Sequence, residues 1–292
     1  MISMRHHAVT VLSSCFLLFC FALQSPAQIL PEKKVVTTIT GRNHQTLRKF
    51  FASLGDIADV FDDKVGNLVV SLLPKEYRTG CKNMVDLWGK DAKGTQSLAP
   101  RTIYIKTMPD SIIHVFVVYT CYSNAKGFGD HYYDERMAVF TVGHSSTTMT
   151  MLPFGLQCQD CNELSRVAMY EDTLSVDNAP LVSVISSLSN DNPCCGRTRT
   201  IEEHYLHYYR LDPHSVTPVA SILDYRKEVN HIEAGHDSTT LYSTNRYVER
   251  ADDGSLRKIV MNYTESVNDR PIRGGIHTYM WNKKRHAFDI TY

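Results

Sequence analysis

Apolar and polar positions alternate through most of the chain, and one early stretch breaks that rhythm. Val35 to Thr40 is β-branched and predicts a strand after a short extended leader from Ile29 to Lys34. Asn43 then suits a helix N-cap. Leu47, Phe50, Phe51, Leu54, Ile57 and Phe61 recur at helical spacing, and Gly66 marks the expected exit. Beyond Asn67-Leu68-Val69-Val70 the pattern turns to β. Ile112 to Tyr122 is continuously apolar and free of Pro, as a central strand covered on both faces requires. Arg136–Val142 and Thr147–Leu152 flank Gly143-His144-Ser145-Ser146 as a hairpin. Further strands are predicted over Leu181–Leu188, Glu203–Leu211 and Val216–Leu223, with a turn at Asp212-Pro213. Tyr247–Arg250 and Leu256–Tyr263 flank Ala251-Asp252-Asp253-Gly254, and Ile276–Trp281 and His286–Thr291 flank Asn282-Lys283-Lys284-Arg285.

These segments predict a mainly β protein of antiparallel hairpin and meander units with one N-terminal helix. An apolar strand near Val115, Val182 and Ile259 leads each time into a polar loop and an aromatic strand. The spacings between those three residues are 67 and 77. A repeat of this kind suits a propeller-like array or a large sandwich.

The first residues belong to a different category. Arg5 lies in a short basic region, an apolar run extends from Ala8 to Leu23, and Ser25 and Ala27 supply small residues before Gln28. Those three features define a secretory signal peptide over 1–27. A membrane anchor is the rival, but the run falls short of the ~20 residues a span needs. Leu12-Ser13-Ser14-Cys15 loosely matches a lipidation site, yet the apolar run continues past Cys15. The organisation expected is therefore a signal peptide at 1–27, a leader strand and amphipathic helix at 28–66, and a β domain at 67–292. The mature chain would be exported to the periplasm, the cell surface or the medium, without a transmembrane segment.

Charge narrows the partners. Thirty-one basic residues balance 31 acidic ones, which argues against nucleic acid and admits a glycan, peptide or protein ligand. Export also decides how the cysteines read. Cys15 and Cys20 leave with the signal, and Cys81, Cys121, Cys158, Cys161, Cys194 and Cys195 remain as predicted disulfide residues. Adjacent Cα atoms lie about 3.8 Å apart, below the usual disulfide window, so Cys194 and Cys195 should bond elsewhere than to each other. Cys158 and Cys161 are the natural partners, leaving Cys81 for Cys121. A redox C-x-x-C role and a four-thiolate zinc site are the weaker readings, because neither a helix mouth nor a second C-x-x-C is present.

Histidine is the tempting catalytic residue. His231-Ile232-Glu233-Ala234-Gly235-His236 lacks the H-E-x-x-H spacing of a zinc protease, and its two His residues lie about 140° apart on a helix. His204 and His207, three apart on a strand, should face opposite sides. His131, His204 and His277 precede or enter aromatic strands. If the units circled an axis they could meet Asp134, Glu135, Glu202 and Glu203 at one rim, as a hydrolase would need. Surface His and acids at strand edges explain the same pattern. Asp56, Asp59, Asp62 and Asp63 lack EF-hand spacing and read as a solvated face. No nucleophile elbow, P-loop or dinucleotide fingerprint occurs, and Gly127-Phe128-Gly129 lacks a third Gly. Tyr residues, with Trp88 or Trp281, could stack on sugars or fill half-buried sheets. Asn262-Tyr263-Thr264 is a glycosylation sequon in a eukaryotic host.

Asp191-Asn192-Pro193-Cys194-Cys195, followed by the aromatic strand His204-Tyr205-Leu206-His207-Tyr208-Tyr209-Arg210-Leu211, resembles an element of exported bacterial β proteins and lipoproteins of unassigned activity. In those a vicinal Cys pair opens a strand, usually followed by Pro-Ser where this chain has Gly196. The resemblance covers about 20 residues, implies an exported β protein and assigns no functional residue. The sequence thus points to an exported binding or envelope-associated β module without catalytic, cofactor-binding or metal-binding residues. An extracytoplasmic hydrolase using His and carboxylates is the alternative.

Overall fold

A computed structural model describes residues 34–60, 63–72, 95–124, 131–159, 167–190, 199–232 and 236–291. The chain is mainly β, built from two antiparallel sheets. The first has six strands in the order β1-β6-β5-β4-β3-β2, and the second has eight in the order β14 to β7. In the first, β1 (Lys34–Thr40) and β2 (Ile57–Val60) sit at the edges of a meander. That meander comprises β3 (Thr95–Thr107), β4 (Ile113–Asn124), β5 (His131–Val142) and β6 (Ser146–Gln159). The second is a single meander of β7 (Val167–Val176), β8 (Ala179–Asn190), β9 (Arg199–Asp212), β10 (Ser215–Ile232), β11 (His236–Arg250), β12 (Leu256–Val267), β13 (Arg270–Asn282) and β14 (Ala287–Thr291).

The expected central strand is β4. Its residues 113 to 118 are all buried, and alternation divides them between two cores. Ile113, Val115 and Val117 join Leu47 and Phe51 of the helix α1 (Gly41–Leu54) on one side. Phe116 and Val118 face the second sheet, meeting Val182, Val184, Tyr209 and Leu211. The two sheets are therefore layers of a sandwich, with helices on the outer face of the first. The units near Val182 and Ile259 fall on β8 and β12 of one continuous sheet, so no third blade is set apart.

The helical region departs from expectation. Asn43 lies inside α1, whose N-cap is Thr40, and the helix stops at Gly55, which takes a φ of 68°. Only a residue without Cβ adopts that conformation at no steric cost, so the helical run is cut there. Ile57 is diverted onto β2, and Gly66 lies within a second helix, α2 (Asp63–Leu72), where a turn to β was expected. Propensity placed the stop one glycine too late. His44 fastens α1 to the β5–β6 hairpin. Its Nε2 donates to the His144 carbonyl at 3.1 Å, which leaves Nδ1 to accept from the Thr147 hydroxyl at 2.9 Å. Arg48 adds a bond to the Gly143 carbonyl at 3.0 Å. Asp56 caps the neighbouring strand, accepting from the Thr107 amide at 2.7 Å and lying 3.5 Å from Lys106.

The eight-stranded sheet curls around its own core. Leu174 and Val176 of β7 share a cluster with Leu206, Tyr208, Ile222, Ile259, Met261, Tyr279 and Phe288, so β7 and β14 belong to one wall around one interior. The curl is latched but not closed. Trp281 Nε1 donates to Asp177 Oδ2 at 3.0 Å, Lys283 Nζ lies 3.8 Å from the same carboxylate, and Arg210 bonds His286 Nδ1 at 2.9 Å. Asp177 can reach because it and Asn178 form the two-residue β7–β8 turn with positive φ at both positions, the arrangement that follows strand twist. Trp281→Phe keeps a smaller aromatic ring and removes the donor. It should lower stability by about 1 kcal/mol in urea denaturation, since a neutral donor is lost to a carboxylate that water still reaches.

Candidate functional site

The inner face of β11, β12 and β13 changes character along its length. Register places Val248, Ile259, Tyr279 and Ile290 in one cross-strand row. The next rows are Arg246–Met261–His277, then Thr244–Tyr263–Gly275, then Tyr242–Glu265–Arg273. Ile259 and Tyr279 of the first row are buried in the apolar core, Val248 at its edge is 37% exposed, and the later rows are more polar. Alternation alone puts these residues on the same side as the buried Ile259 and Met261.

Aromatic rings organise this wall. Tyr263 lies on Gly275, where an added Cβ would stand 2.9 Å from the ring, so only glycine leaves room for that pose. His277 stacks on Tyr263 at 4.5 Å with an interplanar angle of 8°, and Tyr242 stacks at 5.6 Å and 23°. Arg273 reaches over the Tyr263 ring and pairs with Glu265 at 2.9 Å. Burial, and then the Arg273 charge, push the His277 pKa down. Burial, then the neighbouring Tyr263 and Asp224, push the Tyr242 phenol up to about 12. Both groups are neutral at physiological pH.

Two further residues arrive from β10 and β9. The register slips between Leu223 and Tyr225, and the intervening Asp224 accepts a hydrogen bond from the Thr244 hydroxyl at 2.5 Å. Arg246 lies over the Tyr208 ring and donates to its hydroxyl. Arg246 and Arg273 thus share a wall with Asp224 and Glu265, two cations balancing two anions. The arrangement offers planar hydrogen-bonding groups and rings, and can hold a ligand.

The rim proposed from sequence is distributed otherwise. His131 begins β5, opposite Asn124 in the six-stranded sheet, and Asp134 and Glu135 lie on the same strand. His204 sits on β9, 3.0 Å from Glu202 and stacked on Tyr225 at 4.7 Å, four strands away from His277. Glu203 turns to the opposite side, where it accepts from Tyr205 at 3.1 Å and lies 3.5 Å from Arg226. Among the described residues no three His, Cys, Asp or Glu side chains gather as a metal site. His207 points away from His204, as its spacing requires, and its Nε2 lies 2.9 Å from Ser186 Oγ. That Ser–His pair is buried in the core, out of reach of a substrate. His231 and His236 lie on the two arms of the β10–β11 hairpin, not on a helix.

Of the predicted disulfide residues, Cys121 lies on β4 opposite Asp134 and Cys158 on β6 opposite Tyr133. Cys81, Cys161, Cys194 and Cys195 are outside the described residues, as are the signal segment, Trp88, Gly127-Phe128-Gly129 and Asp191–Cys195. Asn262 of the sequon is exposed on β12.

Only His277 of this wall was singled out from sequence. Asp224, Tyr242, Arg246, Glu265 and Arg273 were not, although one signal was available. Asn268-Asp269 is a two-residue turn with positive φ at both positions, and the one-residue slip that follows it at Ile272 completes the register that brings Tyr263 opposite Gly275. The outer face of the same strands is also unusual. Ile272, Ile276 and Met280, at alternate-parity positions on β13, are 59%, 57% and 40% exposed, and Tyr247 of β11 is 50% exposed. Residues four apart on a strand lie about 13 Å from each other, so these side chains stand singly on the face.

No family model, no curated protein and no solved structure matches the chain. Among the described residues no helix is long and apolar enough to cross a membrane.

Proposed function

We propose that the protein is an exported binding module that works by holding a ligand and carries out no reaction of its own. The observation that carries this reading is the inner wall of β11–β13. There a stack of Tyr242, Tyr263 and His277 lies among balanced charged groups, with the Thr244 hydroxyl bonded to Asp224. Recognition needs rings and fixed polar groups, whereas hydrolysis needs a poised acid or nucleophile at an accessible position.

The hydrolase reading retains one supporting observation, the accessible His204–Glu202 pair at 3.0 Å. A screen of peptide, ester and glycan substrates on wild type, His204→Ala and Glu202→Gln separates the two. The binding module gives no turnover with any of the three, and turnover lost in both variants replaces it with the enzyme.

Export is part of the proposal. Mass spectrometry of the protein made in its own host should find Gln28, or its pyroglutamate form, at the amino terminus and no free thiol among the six remaining cysteines. Each bridge removed by mutation should cost about 2–5 kcal/mol. An intact Met1 with free thiols contradicts both export and the disulfides.

A further inference from the structure

Building on the binding-module reading, we infer that the ligand of the β11–β13 wall is a neutral, hydroxyl-rich saccharide, seated along the ring stack from Tyr242 and Arg273 in the outermost row to Arg246 two rows further in. Three kinds of ligand can be weighed against the same side chains. An anion would meet Arg246 and Arg273, but also Asp224 beside Thr244 and Glu265 beside Arg273, so its attraction to the wall largely cancels. An apolar ligand would strip water from four charged groups without offering any of them a hydrogen bond, a heavy desolvation penalty. A pyranose avoids both costs. Its hydroxyls donate to the carboxylates and accept from the guanidinium groups, and its C–H face covers an aromatic ring.

The geometry sets the polarity of the site. His277 closes the core-side end of the stack, one row from the buried Ile259 and Tyr279. Tyr242 is the outermost ring, half-buried, in the row farthest from that core. Its partner Tyr263 is held flat by Gly275 and crossed by Arg273, so the stack is fixed before a ligand arrives. Arg246 is pinned on Tyr208 through one guanidinium nitrogen, leaving its other donors for a ligand, and among the described residues no carboxylate is ion-paired with it. A rigid ring platform flanked by two planar donors and two carboxylates is suited to adjacent hydroxyls, where a flexible or single-signed site is not.

The test is isothermal titration of the purified protein with neutral hexose and N-acetylhexosamine oligosaccharides, beside uronic-acid and sulfated counterparts. The expected result is binding of a neutral oligosaccharide that weakens at least tenfold in Tyr242→Ala and in Arg246→Gln and is unchanged in His204→Ala. Tyr242→Phe keeps the stack and should bind within a few-fold of wild type, and thermal melting checks that each variant is folded. Preference for the acidic ligands overturns the neutral assignment and leaves the wall as the binding site. Neutral binding that survives both substitutions overturns the site. No binding of any saccharide, with Tyr242→Ala losing a protein partner instead, overturns the ligand class alone.

Discussion

Acidification from pH 6.5 to pH 4 should progressively unfold this protein, through His114 and His207. Both are buried, His114 at the interface between the sheets and His207 against Ser186. Burial pushes each pKa down from 6.5 to about 4, with Asp110 and the Asp212 backbone holding His114 up slightly. Between those values the unfolded chain binds protons that the folded chain excludes, so stability falls as pH falls through the window. The loss should be on the order of 3 kcal/mol per histidine once pH reaches the folded-state value, a large part of a typical domain's stability. Urea midpoints from pH 7 to pH 4 measure it directly. Replacing both residues with Gln should flatten the profile across the window, and a wild-type midpoint constant from pH 7 to pH 4.5 would contradict the account.

The second large effect is expected at Phe116, where the two layers meet. The ring is fully buried among Val118, Met137, Val139, Val182, Val184 and Leu211 and packs edge-on against Tyr104 at 5.7 Å. Phe116→Ala removes apolar area from both sheets and leaves a cavity neither can collapse into, which should cost about 3–5 kcal/mol. Ile276→Ala, on an exposed position of the same sheet system, should change stability by no more than about 0.5 kcal/mol. Urea denaturation of the pair tests whether the sandwich interface, and not apolar content as such, holds the molecule together.

Much of this fold was legible because strand burial leaves a direct trace. The apolar run of β4, interrupted only by His114 and Thr120 between Ile112 and Tyr122, announces a strand with a core on each side, and the turn residues at 143–146, 251–254 and 282–285 locate three hairpins. The helix ran too long because Ile57 and Phe61 keep helical spacing past Gly55, and only the backbone conformation at Gly55 shows that the helix stops there. Spacing allows both a sandwich and a propeller-like array and does not choose between them, since the curl of β7–β14 depends on contacts such as Trp281 with Asp177, 104 residues apart. The site was hidden for a related reason. Its side chains come from β9 to β13 and share a face only once the Asn268-Asp269 turn and the slips at Ile272 and Asp224 have set the register. Histidine drew the reading toward a rim, while the rings and arginines beside His277 carried the pattern.

On the proposal made above, the inner wall of β11–β13 holds a ligand that the protein leaves chemically unchanged. Hydrogen–deuterium exchange of the protein with and without polysaccharide from its own host's envelope tests this most directly, with the polysaccharide recovered and sized afterwards. The account predicts added protection in peptides covering 240–248, 259–265 and 273–279, and a recovered polymer of unchanged length. Protection confined to the strands around Glu202 and His204, together with a shortened polymer, would contradict it.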